Sequence, residues 1–271
     1  MKKIASHGDI EIFAPSYSRF SFLKSPYAAH QTFSAVDIYY GSFGSEAFSP
    51  VDGEIIGTQS FKTPTPYKDK DFTEYVIAVQ QGEKVIKILH IKPEVSAGET
   101  VSIGDRIGRF VHNGYFIFWN DPVMHVEVRK KDDYLRARND LCLAPNIEWT
   151  GLPSSSALEL ECSVEKINER YALLSAPYMT CGEVKGFAAG GGFIDGYVSC
   201  REEGFFGIIR PGGFSRPHAS LEVKKEGREA ECAGVAFSLF FNEPRIKVIP
   251  VRYGDRPLSR GDRVTINLEI F

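Results

Sequence analysis

Three of the six histidines sit where the neighbouring pattern gives their side chains a direction. His125 alternates with Val123 and Glu127, while Met124, Val126 and Val128 take the opposite parity. In an extended strand that period of two puts His125 and Glu127 on one face and the apolar residues on the other. His90 closes a run containing Ile86, Ile88 and Leu89, so it falls at a sheet margin. His30 precedes Asp37 by seven positions, and Asp37 follows Ala35-Val36 where a strand begins or ends. A carboxylate beside imidazoles favours a protonated histidine or a bound cation. Plainer roles are open to the same residues. His30 fits an exposed loop, Asp37 a strand-end cap of a turn, and His90 a half-buried ring bonded to a backbone carbonyl. His7, His112 and His218 have no supporting context and read as structural or exposed.

The five cysteines, Cys142, Cys162, Cys181, Cys200 and Cys232, form no CxxC pair. An odd number without an export signal makes reduced, structural thiols the expectation. The run Gly190-Gly191-Gly192 does not open a helix in a GxGxxG pattern and reads as a turn between strands.

The elements that must position these side chains are strands. Short stretches rich in Val, Ile, Tyr and Phe, bounded by Gly, Pro, Asp and Ser, recur along the chain, as at residues 74–80, 85–90, 123–128 and 264–271. Helical periodicity is nearly absent; residues 163–170 could form a helix or a strand and a turn. Residues 61–72, with Pro64, Pro66 and several charges, read as a loop projecting from the sheet beside the candidate site or as a flexible excursion. Residues 142–156 carry Pro145, Gly151, Pro153 and three serines, which is linker chemistry. The expected division is therefore a domain over 1–145 and a second β-rich domain over 156–271, the whole being all-β.

The chain is 43% hydrophobic and 25% charged, with a formal net charge of -3. Such a chain can bury a core without disulfides, and its charge gives no reason to expect nucleic acid as a partner. Arg129-Lys130-Lys131 is offset by Asp132-Asp133 and reads as a solvated turn. No run approaches a membrane span, and the start has no apolar targeting segment, so a cytoplasmic protein with no membrane partner is expected.

Four sequence elements occur in order. They are His30-Gln31-Thr32-Phe33-Ser34-Ala35-Val36-Asp37, then Ser49-Pro50-Val51-Asp52-Gly53-Glu54-Ile55, then Ile88-Leu89-His90 followed by the glycine-spaced segment 95–108, and last Met124-His125-Val126-Glu127. This order resembles the lysostaphin-like zinc metallopeptidases over roughly residues 28–130. The resemblance implies a β-sandwich or barrel domain. It implies His30, Asp37 and His125 as zinc ligands, with an open position for water. It gives His90 an unligated catalytic role in deprotonating water or stabilising the oxyanion.

The pattern departs from the family at two places. The family spaces its first His and Asp by four, and here Phe33 stands where that His would be, so a three-residue bulge is needed to bring His30 back. The family's last strand carries two alternate histidines, and here Val123 replaces the first. The function expected is a zinc-dependent peptidase with an incomplete site and weak activity, acting on a peptide or protein. The alternative is a non-catalytic peptide- or protein-binding scaffold that keeps the peptidase fold. A carrier domain, suggested by the glycine-spaced segment, lacks the Met-Lys-Met that would bear its modified lysine.

Overall fold

The computed structural model describes residues 1–64, 72–135, 141–201 and 204–271. The protein is all-β, with 53% of residues in strands and 3% in helices. It divides into two compact units. One comprises Met1–Phe20 and Tyr27–Asn146, the other Ser21–Pro26 and Ile147–Phe271. Among the described residues no helix is long and apolar enough to cross a membrane.

In the first unit a short helix, α1 (Ala28–Gln31), leads into β1 (Ala35–Tyr39). There follow β2 (Gly53–Lys62), β3 (Thr73–Gln81), β4 (Lys84–Leu89) and β5 (Met124–Lys130). These strands lie side by side in the order β2-β3-β4-β5-β1. All the pairings are antiparallel, which suits their alternating patterns. The register sets Val126 against Val36 and Ile88, and Ile88 against Ile77. All four are buried and form one apolar row of the core. Cross-strand partners point to the same face. The opposite face therefore carries a second row, Asp37, His125, Leu89 and Val76, and beside it Ala35, Glu127, Lys87 and Ala78.

Gly53 holds the turn into β2 together. Its φ is +147°, and a Cβ there would lie 2.4 Å from the Gln80 carbonyl oxygen, so no other residue fits without moving β3. The glycine-spaced segment supplies Thr100–Val101, paired on β2, and Arg106–Phe110, which pairs with Glu46–Phe48 and Ile91–Pro93. Phe61 and Lys62 close β2 and are not part of the loop expected at 61–72, whose residues 65–71 lie outside the described residues.

The second unit is built on β6 (Ala157–Ile167), β7 (Ala172–Ser175), β8 (Gly192–Ser199), β9 (Phe205–Arg210), β10 (Ala219–Lys225), β11 (Cys232–Phe237), β12 (Ile246–Pro250) and β13 (Arg263–Ile270). They run in the order β9-β8-β11-β12-β7-β6-β13-β10. Phe187, Phe237, Val235, Ile246 and Ile266 are among its core residues. Residues 163–167, left open between helix and strand, belong to β6. Gly190 and Gly191 take φ of +60° and +77° in the hairpin that opens β8, the positive values that a two-residue hairpin turn demands.

Arg129 is not part of a solvated turn. It is fully buried, and its guanidinium lies 3.6 Å from Glu127. Lys130, Lys131 and Asp132 are exposed as expected, and Lys131–Asp133 form a 3₁₀ turn.

Candidate metal centre

The cross-strand register of β1 and β5 puts Asp37 directly opposite His125. Asp37 Oδ1 lies 2.8 Å from His125 Nδ1 and 3.2 Å from His30 Nε2. The two imidazole nitrogens are 3.2 Å from each other. All three residues are buried. This overturns the plainer roles for His30 and Asp37, since His30 is not in an exposed loop and Asp37 is a strand residue, not a turn cap.

The seven-position spacing is taken up before β1 by a local irregularity that brings His30 back to Asp37. The helix α1 compresses residues 28–31, and Phe33 then takes a left-handed φ of +60°. Of the segment from His30 to Asp37 only His30 and Gln31 are helical, so it is the turn through Thr32, Phe33 and Ser34 that folds His30 back. The Ser34 N–H and hydroxyl both donate to the Ala29 carbonyl, at 2.8 and 3.1 Å, and fix the turn.

The outer contacts orient the trio. Tyr39 donates its hydroxyl to Asp37 Oδ2 at 3.0 Å. Glu127 Oε1 lies 3.0 Å from His125 Nε2 and 3.4 Å from the Lys87 ammonium. A carboxylate on the far nitrogen of an imidazole fixes its tautomer and raises its basicity as a ligand. Burial alone would raise the pKa of Asp37. The charge and hydrogen bonds of the two histidines outweigh it and hold the carboxyl well below its usual range. Burial likewise works to lower His125, but its bonds to Asp37 and Glu127 lift it to about 9. Glu127, which burial would raise, is brought down to about 2, chiefly by its bond to His125.

His90 stands one layer away, its ring centroid 6.2 Å from that of His125. It follows β4 in a left-handed conformation, φ +68°, unusual for a residue with a side chain. Glu74 on β3 holds it there. One oxygen accepts the His90 N–H at 2.9 Å and the other pairs with Nδ1 at 2.5 Å. Asn113 donates to the same Glu74 oxygen at 2.7 Å. The ring is thus bonded to a carboxylate and not to a backbone carbonyl. Burial opposes ionisation of Glu74, yet its bonds to His90 and to backbone amides leave its pKa lowered.

Val123 immediately precedes β5 and is buried. His7 bonds the Cys142 carbonyl, His112 lies among the rings of Phe43, Phe72 and Phe116, and His218 is exposed. Glu74, Lys87, Asn113 and Tyr39 were missed as site residues. Lys87 carried a visible signal, a charge inside an otherwise apolar strand, and Glu127 another in its alternation with His125. Glu74 carried none, because only the β3–β4 pairing brings it to a residue 16 positions later.

The donor set fits zinc. Two atoms bound to one tetrahedral zinc at about 2.0–2.1 Å lie roughly 3.3 Å apart. The three donors here are slightly closer, and an outward shift of a few tenths of an ångström would admit the ion. They include two imidazoles and one carboxylate, the donor types of catalytic zinc sites.

Residues 10–145 match the family described as the N-terminal domain of a domain of unknown function, DUF8155. No curated protein and no solved structure matches the chain.

Proposed function

Because the chain belongs to the DUF8155 family, whose description assigns no chemistry, we propose its function from the site itself: a zinc-dependent hydrolase of peptide bonds, of the lysostaphin-like type and weakly active. The convergence of His30, Asp37 and His125 carries the proposal. Three buried donor atoms lie 2.8–3.2 Å apart; in the metal-free protein Asp37 Oδ1 can accept from both rings, and a cation replacing those protons would be held by the two imidazole nitrogens and the carboxylate oxygen together. A cation among them would satisfy all three.

Zinc held there would supply Lewis-acid polarisation of a carbonyl and activation of water. His90 handles the proton. With Nδ1 bonded to the Glu74 carboxylate, its proton sits on that nitrogen and Nε2 is left as the base. Glu74 then stabilises the imidazolium that forms, and the same ring can return the proton to the leaving amine. Glu127 keeps His125 oriented from the far side.

Val123 favours a second reading, a peptide-binding scaffold without turnover, because a proton-transferring group is absent there. Loss of one such group typically costs about 10²–10⁴-fold in rate. Hydrolysis of blocked peptides by zinc-loaded protein separates the two. Slow cleavage that chelator abolishes and that His90→Gln lowers by at least ~10²-fold supports the hydrolase. Zinc binding and peptide binding without cleavage support the scaffold.

A further inference from the structure

Resting on the zinc-hydrolase reading, we infer that the site accepts a bulky apolar or aromatic side chain beside the reacting centre, and not glycine. His90 and His125 line a cavity of about 360 Å³ in the first unit. Its walls are Tyr27, Phe61, Val76, Leu89, Tyr115 and Leu135. The floor follows from the register, because Val76 pairs with Leu89 and Leu89 pairs with His125. The apolar surface is therefore continuous with a candidate ligand across adjacent strands.

The rim strengthens the case. Tyr27, Phe61, Tyr115 and Leu135 are 52%, 44%, 38% and 46% exposed, four large apolar side chains around one depression. The rings of Tyr27 and Tyr115 meet edge to face, with centroids 6.2 Å apart. Apolar groups gathered in water around a cavity, with a few polar groups at its base, are the usual form of a site for an apolar ligand. The polar groups of the cavity are engaged within the protein, Lys87 with Glu127, and Glu74 with the His90 ring and backbone N–H and with Asn113, so they do not call for a charged ligand. A glycine substrate would leave these walls wet. A phenyl or branched aliphatic group would cover them, and the hydrophobic gain would reach the reacting bond because the walls adjoin His90 and His125.

The test uses the full chain, loaded with zinc, and reads binding. Zinc content is measured first. Acetohydroxamate and phenylacetohydroxamate, which share one metal-binding group and differ by a phenyl, are then titrated calorimetrically. The phenyl compound is expected to bind at least ~10-fold more tightly, the scale for burying one apolar group. In Phe61→Ala/Tyr115→Ala, both changed at exposed positions, that preference should fall below ~3-fold, with zinc content unchanged. Equal affinities in the zinc-loaded natural protein would overturn the inference and leave the metal centre standing. A preference undiminished in the double variant would overturn the assignment to these walls. Failure to hold zinc would overturn both the metal centre and the inference built on it.

Discussion

His125 on β5 and Asp37 on β1 are direct cross-strand partners whose side chains meet at 2.8 Å. The pairing ties the site to the sheet. A register slip of one residue between these strands would send both side chains to the other face. The row behind them, Val126 against Val36 and Ile88, is fully buried and opposes such a slip.

The metal-free protein should therefore show a particular dependence on pH. His125 is raised from 6.5 to about 9, so its contribution to stability is complete below pH 6.5 and is lost as pH rises toward 9. Glu127 is lowered from 4.5 to about 2, so its contribution is complete above pH 4.5 and is lost as pH falls toward 2. With chelator present, the unfolding free energy from urea denaturation should peak between about pH 4.5 and 6.5 and decline above, by at most about 1.4 kcal/mol per pH unit for one proton. The alkaline decline should flatten in His125→Gln. An unchanged decline in that variant would assign it to another group.

Restoring an imidazole at position 123 should raise turnover. Val123→His is expected to increase kcat on Gly-containing and phenylalanine-containing peptides by at least ~10-fold, with little change in zinc affinity. Since Val123 is buried, the variant's thermal unfolding must be compared with that of the natural protein. A folded, zinc-loaded variant with unaltered kcat would show that position 123 does not face the reacting centre.

The second unit offers a test of its own. Cys200 and Cys232 have their sulfurs 3.5 Å apart, at the end of β8 and the start of β11. The Cys232 thiol bonded to Cys200 lowers the latter's pKa, and Cys232 is itself raised. Diamide, a two-electron oxidant of thiols, should form one disulfide between them, removing two thiols from the titratable count. Peptide mapping should find the Cys200–Cys232 link, and Cys200→Ser should abolish it. A link elsewhere would contradict the proximity.

The strands were legible because their residues alternate. Residues 74–80, 85–90 and 264–271 lie almost wholly within β3, β4 and β13, and His125 and Glu127 share the face that their parity required. His30 was harder, because its position depends on a one-turn helix and on the left-handed Phe33, and neither has a periodic signature. Glu74 was invisible for another reason. Its role arises from which strands become neighbours, as does the Cys200–Cys232 pair, and local patterning carries no record of that. The burial of Arg129 was hidden by its charged neighbours, whose exposure it does not share.

Zinc titration of chelator-stripped protein addresses the metal centre most directly. One zinc per chain is expected, with thermal unfolding stabilised by about 2.7 kcal/mol when free zinc is ~100 times its Kd. His30→Ala, Asp37→Asn and His125→Ala should each remove that stabilisation while the stripped variants still unfold cooperatively, whereas His90→Gln should keep it. No bound zinc in the folded natural protein, or zinc retained undiminished by Asp37→Asn and His125→Ala, would contradict the site.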